Sequence, residues 1–176
     1  NVFSLNGLES FSEKVTGEEG ISYHPILYEL VLAMLTDLFN VNDTKEIFEL
    51  SHFLNFLIFF ISLIFFYKFI YKKFNSIFYA SFSIIILFLS PRMFAEAFYN
   101  SRDIFFLSLF IFFIYSANNF LINQNIKTSI YFSLTSALLI NAKILGVAPP
   151  IIFLFFYFLN TLSKKNIKKE GRKGRV

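Results

Sequence analysis

Long runs without a single Asp, Glu, Lys or Arg constrain this chain more than any motif in it. Residues 51–67, 74–91, 104–126, 128–142 and 144–163 are free of all four, and a helix needs about 20 apolar residues to cross about 30 Å of hydrocarbon. Five membrane helices are therefore expected, giving an all-α, polytopic helix bundle over residues 48–162. The fourth run has 15 residues, about 22 Å at 1.5 Å per residue, so it falls short of a full crossing. Lys143, Gly146 and the Pro149-Pro150 pair are expected to break the chain there into a bent hairpin of two short helices. Composition agrees: 56% hydrophobic and 16% charged residues, with a mean hydropathy of +0.59, leave too little polar material to coat a soluble domain. The 28 Phe residues accompany abundant Ile, Lys and Asn and no Trp. An AT-rich gene accounts for that excess, and no aromatic binding surface follows from it. Without cysteine there is no disulfide, no thiol nucleophile and no Cys-ligated zinc.

Basic residues orient the bundle. If the segment ahead of the first run is extracytoplasmic, eleven of the sixteen basic residues fall inside: Lys68, Lys72, Lys73, Lys127 and the tail residues Lys164, Lys165, Lys168, Lys169, Arg172, Lys173 and Arg175. Lys14, Lys45, Arg92, Arg102 and Lys143 fall outside, and the reverse topology would invert a clear positive-inside bias. Residues 1–24 are then an extracytoplasmic loop and 163–176 a basic cytoplasmic tail. That tail has the charge to bind phosphate backbones, but directly after a span it reads as a topology signal and a contact for anionic lipid, so no nucleic-acid partner is expected. The chain begins at Asn1 without a basic-then-apolar leader and reads as a piece of a longer protein.

Residues 25–40 differ from the spans. Ile26, Leu27, Leu30, Val31, Met34, Leu35 and Leu38 share one helical face, and Glu29, Ala33, Thr36, Asp37 and Asn40 the other. Pro25 suits a first helical turn. A two-faced helix of this length is expected to lie at the membrane interface, with a soluble-core helix as the alternative.

No glycine-rich phosphate loop, G-x-S-x-G elbow or H-E-x-x-H pair occurs. The charged stretch from Ser90 to Asp103 is the exception in an apolar chain. Ionisable residues pressed against a hydrocarbon boundary are costly, and they read as a site at the mouth of the bundle. Arginine's planar fork matches phosphate oxygens. A carboxylate there is suited to taking a proton from an attacking hydroxyl or amine. For each of these charges the competing reading is an interface anchor or an ion pair with Glu96 or Asp103.

The order of these parts, with Tyr23-His24-Pro25-Ile26-Leu27-Tyr28, Ser90-Pro91-Arg92 and Asn100-Ser101-Arg102-Asp103-Ile104-Phe105-Phe106, resembles the GT-C membrane glycosyltransferases. Within them it is similar to the family-39-like group of protein O-mannosyltransferases and aminoarabinose transferases. The resemblance spans residues 23–162. It departs from the group at Ser101 and Phe105, where prolines are usual, and at Arg102, where lysine is usual. The acidic Asp-Glu pair of the group's first outer loop has no counterpart, since Glu18-Glu19 does not match it. The resemblance implies a multi-pass enzyme of the bacterial inner membrane. It would move a sugar from a lipid-linked, polyprenyl-phosphate donor to an acceptor of unknown identity on the outer face. The chemistry of such a transfer assigns Asp103, or an acid upstream of this chain, to the acceptor's proton and Arg92, Arg102 and Lys143 to the donor phosphate, with His24, Glu96 and Asn100 in acceptor or structural roles. A divalent metal cofactor is left open. A transporter fragment and a non-catalytic membrane subunit are the alternatives from other classes, because both also place charge at helix mouths.

Overall fold

The structure is a computed structural model that describes residues 26–41 and 43–173, with side chains described from 27 to 163 apart from residue 42. Among the described residues the chain is helical throughout: α1 Ile26–Leu38, α2 Thr44–Phe74, α3 Ile77–Leu89, α4 Pro91–Tyr99, α5 Ser101–Ile122, α6 Ile126–Ala142, a 3-10 turn Ile144–Val147, and α7 Ala148–Lys173. The outer loop 1–24, Pro25 and the last three tail residues lie outside them.

Three helices are long and apolar enough to cross a membrane: Thr44–Phe74, Ser101–Ile122 and Ile144–Ser163. The pair Ile77–Leu89 and Pro91–Tyr99, bent by 64°, makes a fourth if taken as one broken span. The helices are compatible with a multi-pass membrane protein, with fewer candidate crossings than the five uncharged runs lead one to expect. Two of those runs account for the difference. The run 74–91 yields only a 13-residue helix, because Asn75 turns left-handed to end α2 and Ser90 adopts ψ 117 ahead of Pro91. A residue before proline is pushed out of the α region, and proline has no N–H to continue the ladder. The run 128–142 lies in a 17-residue helix, about 26 Å long, and it does not qualify as a span.

The charged stretch after Pro91 is also not a loop. It forms α4, with Pro91 in the first turn, where its missing N–H costs nothing. The pair Arg92 and Glu96, four residues apart, bridges one face at 2.8 Å. The Pro149-Pro150 pair behaves in the same way, opening α7 rather than breaking the chain. The chain does break between two helices as expected, but the second of them is not short: it runs for 26 residues. The break itself falls at Lys143, whose backbone is extended.

α2 and α5 run side by side in the same direction. Tyr28 touches both Ser51 and Phe105, Phe65 packs edge-on against Phe112 and Tyr115, and Lys72 reaches Asn119. One core joins α1, α2, α5 and α6 around Leu54, Leu109, Phe113 and Leu139, and a second joins Phe59 and Leu63 of α2 to Ala97 and Ile104. Buried hydroxyls satisfy themselves mostly within their own helices. Ser62, Ser108 and Ser136 donate to carbonyls three or four residues back, while Ser116 and Thr135 meet across the α5–α6 interface at 2.6 Å.

α1 packs on α2 and α6, but through a face rotated from the one the apolar pattern marks. Tyr28 and Leu32 are buried, flanked by Leu27, Val31 and Leu35, while Leu30, Met34 and Leu38 are exposed. Tyr28 sets the rotation. Burial pushes its phenol above the usual value, so the O–H is kept to donate to the Ser51 carbonyl at 2.7 Å, and its ring meets Phe105 edge-on at 5.5 Å. An apolar arc wider than the packed face therefore remains uncovered beside the bundle.

Candidate functional site

Five of the residues marked in the sequence form one continuous chain at the end of the bundle where α5 begins. Arg92 Nε donates to Glu96 Oε1 at 2.8 Å. Asn100 Nδ2 lies 3.5 Å from Glu96 Oε2, at the limit of hydrogen-bond reach, and 3.2 Å from Asp103 Oδ2. Lys143 Nζ donates to Asp103 Oδ1 at 2.8 Å. The series links α4, the first turn of α5 and the α6–α7 break, whose sequence positions are 40 residues apart at the last contact.

Local folding puts each group in place. Asn100 caps α5, its Oδ1 accepting from the Asp103 N–H at 3.1 Å, and Asp103 sits in that helix's first turn. A carboxylate is favoured there by the exposed N–H groups and the helix dipole. α4 is held against the bundle by Asn55 of α2, a fully buried side chain whose Nδ2 donates to the Ala97 carbonyl at 2.8 Å. That carbonyl belongs to the last turn of α4, where the helix itself supplies no partner. Only the amide nitrogen can serve an acceptor, which fixes the orientation of Asn55 and leaves its Oδ1 buried without a partner. Lys143 is the extended residue that ends α6, and its ammonium also lies 5.8 Å from the Phe106 ring centroid, within cation–π range.

The cluster is open to its surroundings. The Asp103 and Lys143 side chains are 54% and 46% exposed, and Arg92 is 80% exposed. A row with a cation at each end and two carboxylates between them can receive an anionic group by exchanging partners: Lys143 and Arg92 each hold one carboxylate oxygen, and an arriving phosphate competes for the same donors. Arg102 stands beside Asp103 in the first turn of α5. His24 lies outside the described residues. His52, at the same end, lies against Phe48 with ring centroids 4.0 Å apart and planes tilted by 50°, and it does not join the chain. Among the described residues no group of three or more His, Cys, Asp or Glu side chains is placed to hold a metal ion.

The sequence reading missed Asn55, which lies inside an uncharged run; a lone amide in a span was the only available signal. Comparison with known proteins found no matching family model, curated protein or solved structure.

Proposed function

We propose that the chain belongs to a membrane glycosyltransferase that moves a sugar from a polyprenyl-phosphate donor to an acceptor on the extracytoplasmic face. The observation that carries this reading is the continuous series Arg92–Glu96–Asn100–Asp103–Lys143. It brings two cations, Arg92 and Lys143, and two carboxylates, Glu96 and Asp103, to a single end of an otherwise apolar bundle. In the reaction the bond from the sugar's anomeric carbon to the phosphate oxygen breaks, the acceptor oxygen or nitrogen bonds to that carbon, and its proton passes to a carboxylate. Polyprenyl phosphate leaves with added negative charge, which preorganised cations beside a low-dielectric boundary stabilise. Arg92, Arg102 and Lys143 are assigned to that charge and Asp103 to the proton. The family-39-like pattern at Ser90-Pro91-Arg92 and from Asn100 to Phe106 supports the same assignment.

Lys143→Ala is expected to raise the donor KM about tenfold, as loss of one charge-assisted phosphate contact does, while leaving the acceptor KM unchanged. Equal changes in both constants would remove Lys143 from the donor site. The orientation rests on the bias in basic residues, and the absence of native cysteine allows single cysteines to be read with an impermeant thiol reagent. Cysteines at positions 102 and 72 are expected to label from opposite sides; labelling of both from one side refutes the orientation.

One observation favours a second reading, a non-catalytic membrane subunit. Both Asp103 oxygens are already engaged, one by Lys143 and one by Asn100, as in a latch that only fixes the α6–α7 turn to α5.

A further inference from the structure

At the opposite end of the bundle a groove of about 770 Å³ opens between α2, α5 and α6. Its mouth carries Lys72, Asn119 and Lys127, and its wall is made by Ile61, Phe65 and Phe112. Lys72 Nζ is held by Asn119 Oδ1 at 2.6 Å and lies 5.1 Å from the Tyr115 ring centroid. An ammonium has three donors, so two remain for a ligand.

We propose that this groove binds one anionic phospholipid, its phosphate between Lys72 and Lys127 and one acyl chain along the Ile61–Phe65–Phe112 wall. Two features select a lipid over a free anion. Cations are confined to the mouth, while the groove continues into an apolar wall that an inorganic ion would leave uncovered. Ile61 also lies eleven residues before Lys72 on α2, about 16 Å along the helix, which matches one leaflet, half of about 30 Å of hydrocarbon. Basic pockets between spans on the positively charged side are suited to anionic headgroups, and Lys68 and Lys73 on the same helix end add to the field.

The chain has no tryptophan, so Tyr131→Trp, at the groove's rim, gives a single reporter. In vesicles of phosphatidylcholine containing bromine-labelled phosphatidylglycerol, quenching is expected to show a roughly thirtyfold preference over bromine-labelled phosphatidylcholine, as two lysines near an anionic headgroup provide. Adding Lys72→Gln and Lys127→Gln should abolish the preference, and Lys72→Arg should keep it. Lys164→Gln with Lys165→Gln removes the same charge from the tail and should leave it unchanged. Equal quenching by the two lipids, or an equal loss in the tail variant, overturns the site. Displacement by millimolar inorganic phosphate would make the ligand a free anion and overturn the lipid assignment. Circular dichroism of each variant confirms that the helices persist, so that loss of preference is read only in folded protein.

Discussion

Asp103→Asn is expected to lower sugar transfer by about 10²-fold or more, the usual cost of removing an acid–base group, with expression and membrane insertion intact. The substitution keeps the shape of the side chain and its place in the first turn of α5, but it removes the charge that meets Lys143 at 2.8 Å. A structural latch would also suffer, so the charge-swapped pair Asp103→Lys with Lys143→Asp separates the two roles. The swap restores an ion pair between α5 and the α6–α7 break, so resistance to unfolding should recover to within about 1 kcal/mol of the native protein, the usual scale of an exposed pair. Transfer should not recover, because the carboxylate then stands on the wrong element. Recovery of transfer by the swap would assign Asp103 to the latch alone.

The second large effect falls on a residue with no chemistry of its own. Gly146 is buried in the 3-10 turn, and its N–H donates to the Lys143 carbonyl at 2.7 Å. A Cβ there would press into the Leu139 carbonyl, 2.7 Å from its carbon and 3.2 Å from the Ile140 nitrogen. Those are backbone atoms of α6 and cannot rotate away, so the turn itself must open. Gly146→Ala is expected to cost about 1–3 kcal/mol, as overpacking against unyielding neighbours does, with Gly146→Val at or beyond the upper end. Because the turn that opens begins at Lys143, the Lys143–Asp103 pair should be lost as well. Denaturant unfolding of the detergent-solubilised protein measures the first effect, and a double-mutant cycle on Asp103 and Lys143 in the Gly146→Ala background measures the second. Native-like stability together with an undiminished coupling would show that the close approach does not hold the turn.

The charged cluster was more legible in the sequence than the path of the chain around it. Charge is rare in this composition, so Arg92, Glu96, Asp103 and Lys143 stood out by their charge and Asn100 by its place beside them, and the structure links all five through side-chain contacts. Their scaffold was misread in several places, because absence of charge marks compatibility with hydrocarbon but does not mark where a helix stops. Ser90 and Asn75 end helices inside or beside apolar runs through backbone dihedrals, which hydropathy does not register. Pro91 and Pro149 were ambiguous for a related reason: a proline ends one helix and begins the next with the same ring. On α1 the apolar arc was broader than any single interface, and the buried face was chosen by Tyr28, whose phenol had a partner waiting at Ser51. Gly146 was visible only as a break, since its role depends on the Leu139 carbonyl brought close by the turn.

Release of polyprenyl phosphate tests the central claim most directly. The protein, purified and returned to lipid vesicles, would be given a polyprenyl-phosphate sugar labelled in the sugar, together with an acceptor-bearing extract. Label is expected to leave the lipid fraction as free polyprenyl phosphate appears in equal amount. Both rates are expected to fall by about 10²-fold in Asp103→Asn. Label that stays on the lipid, or that leaves it at the same rate in both proteins, would contradict the assignment of this charged cluster to sugar transfer.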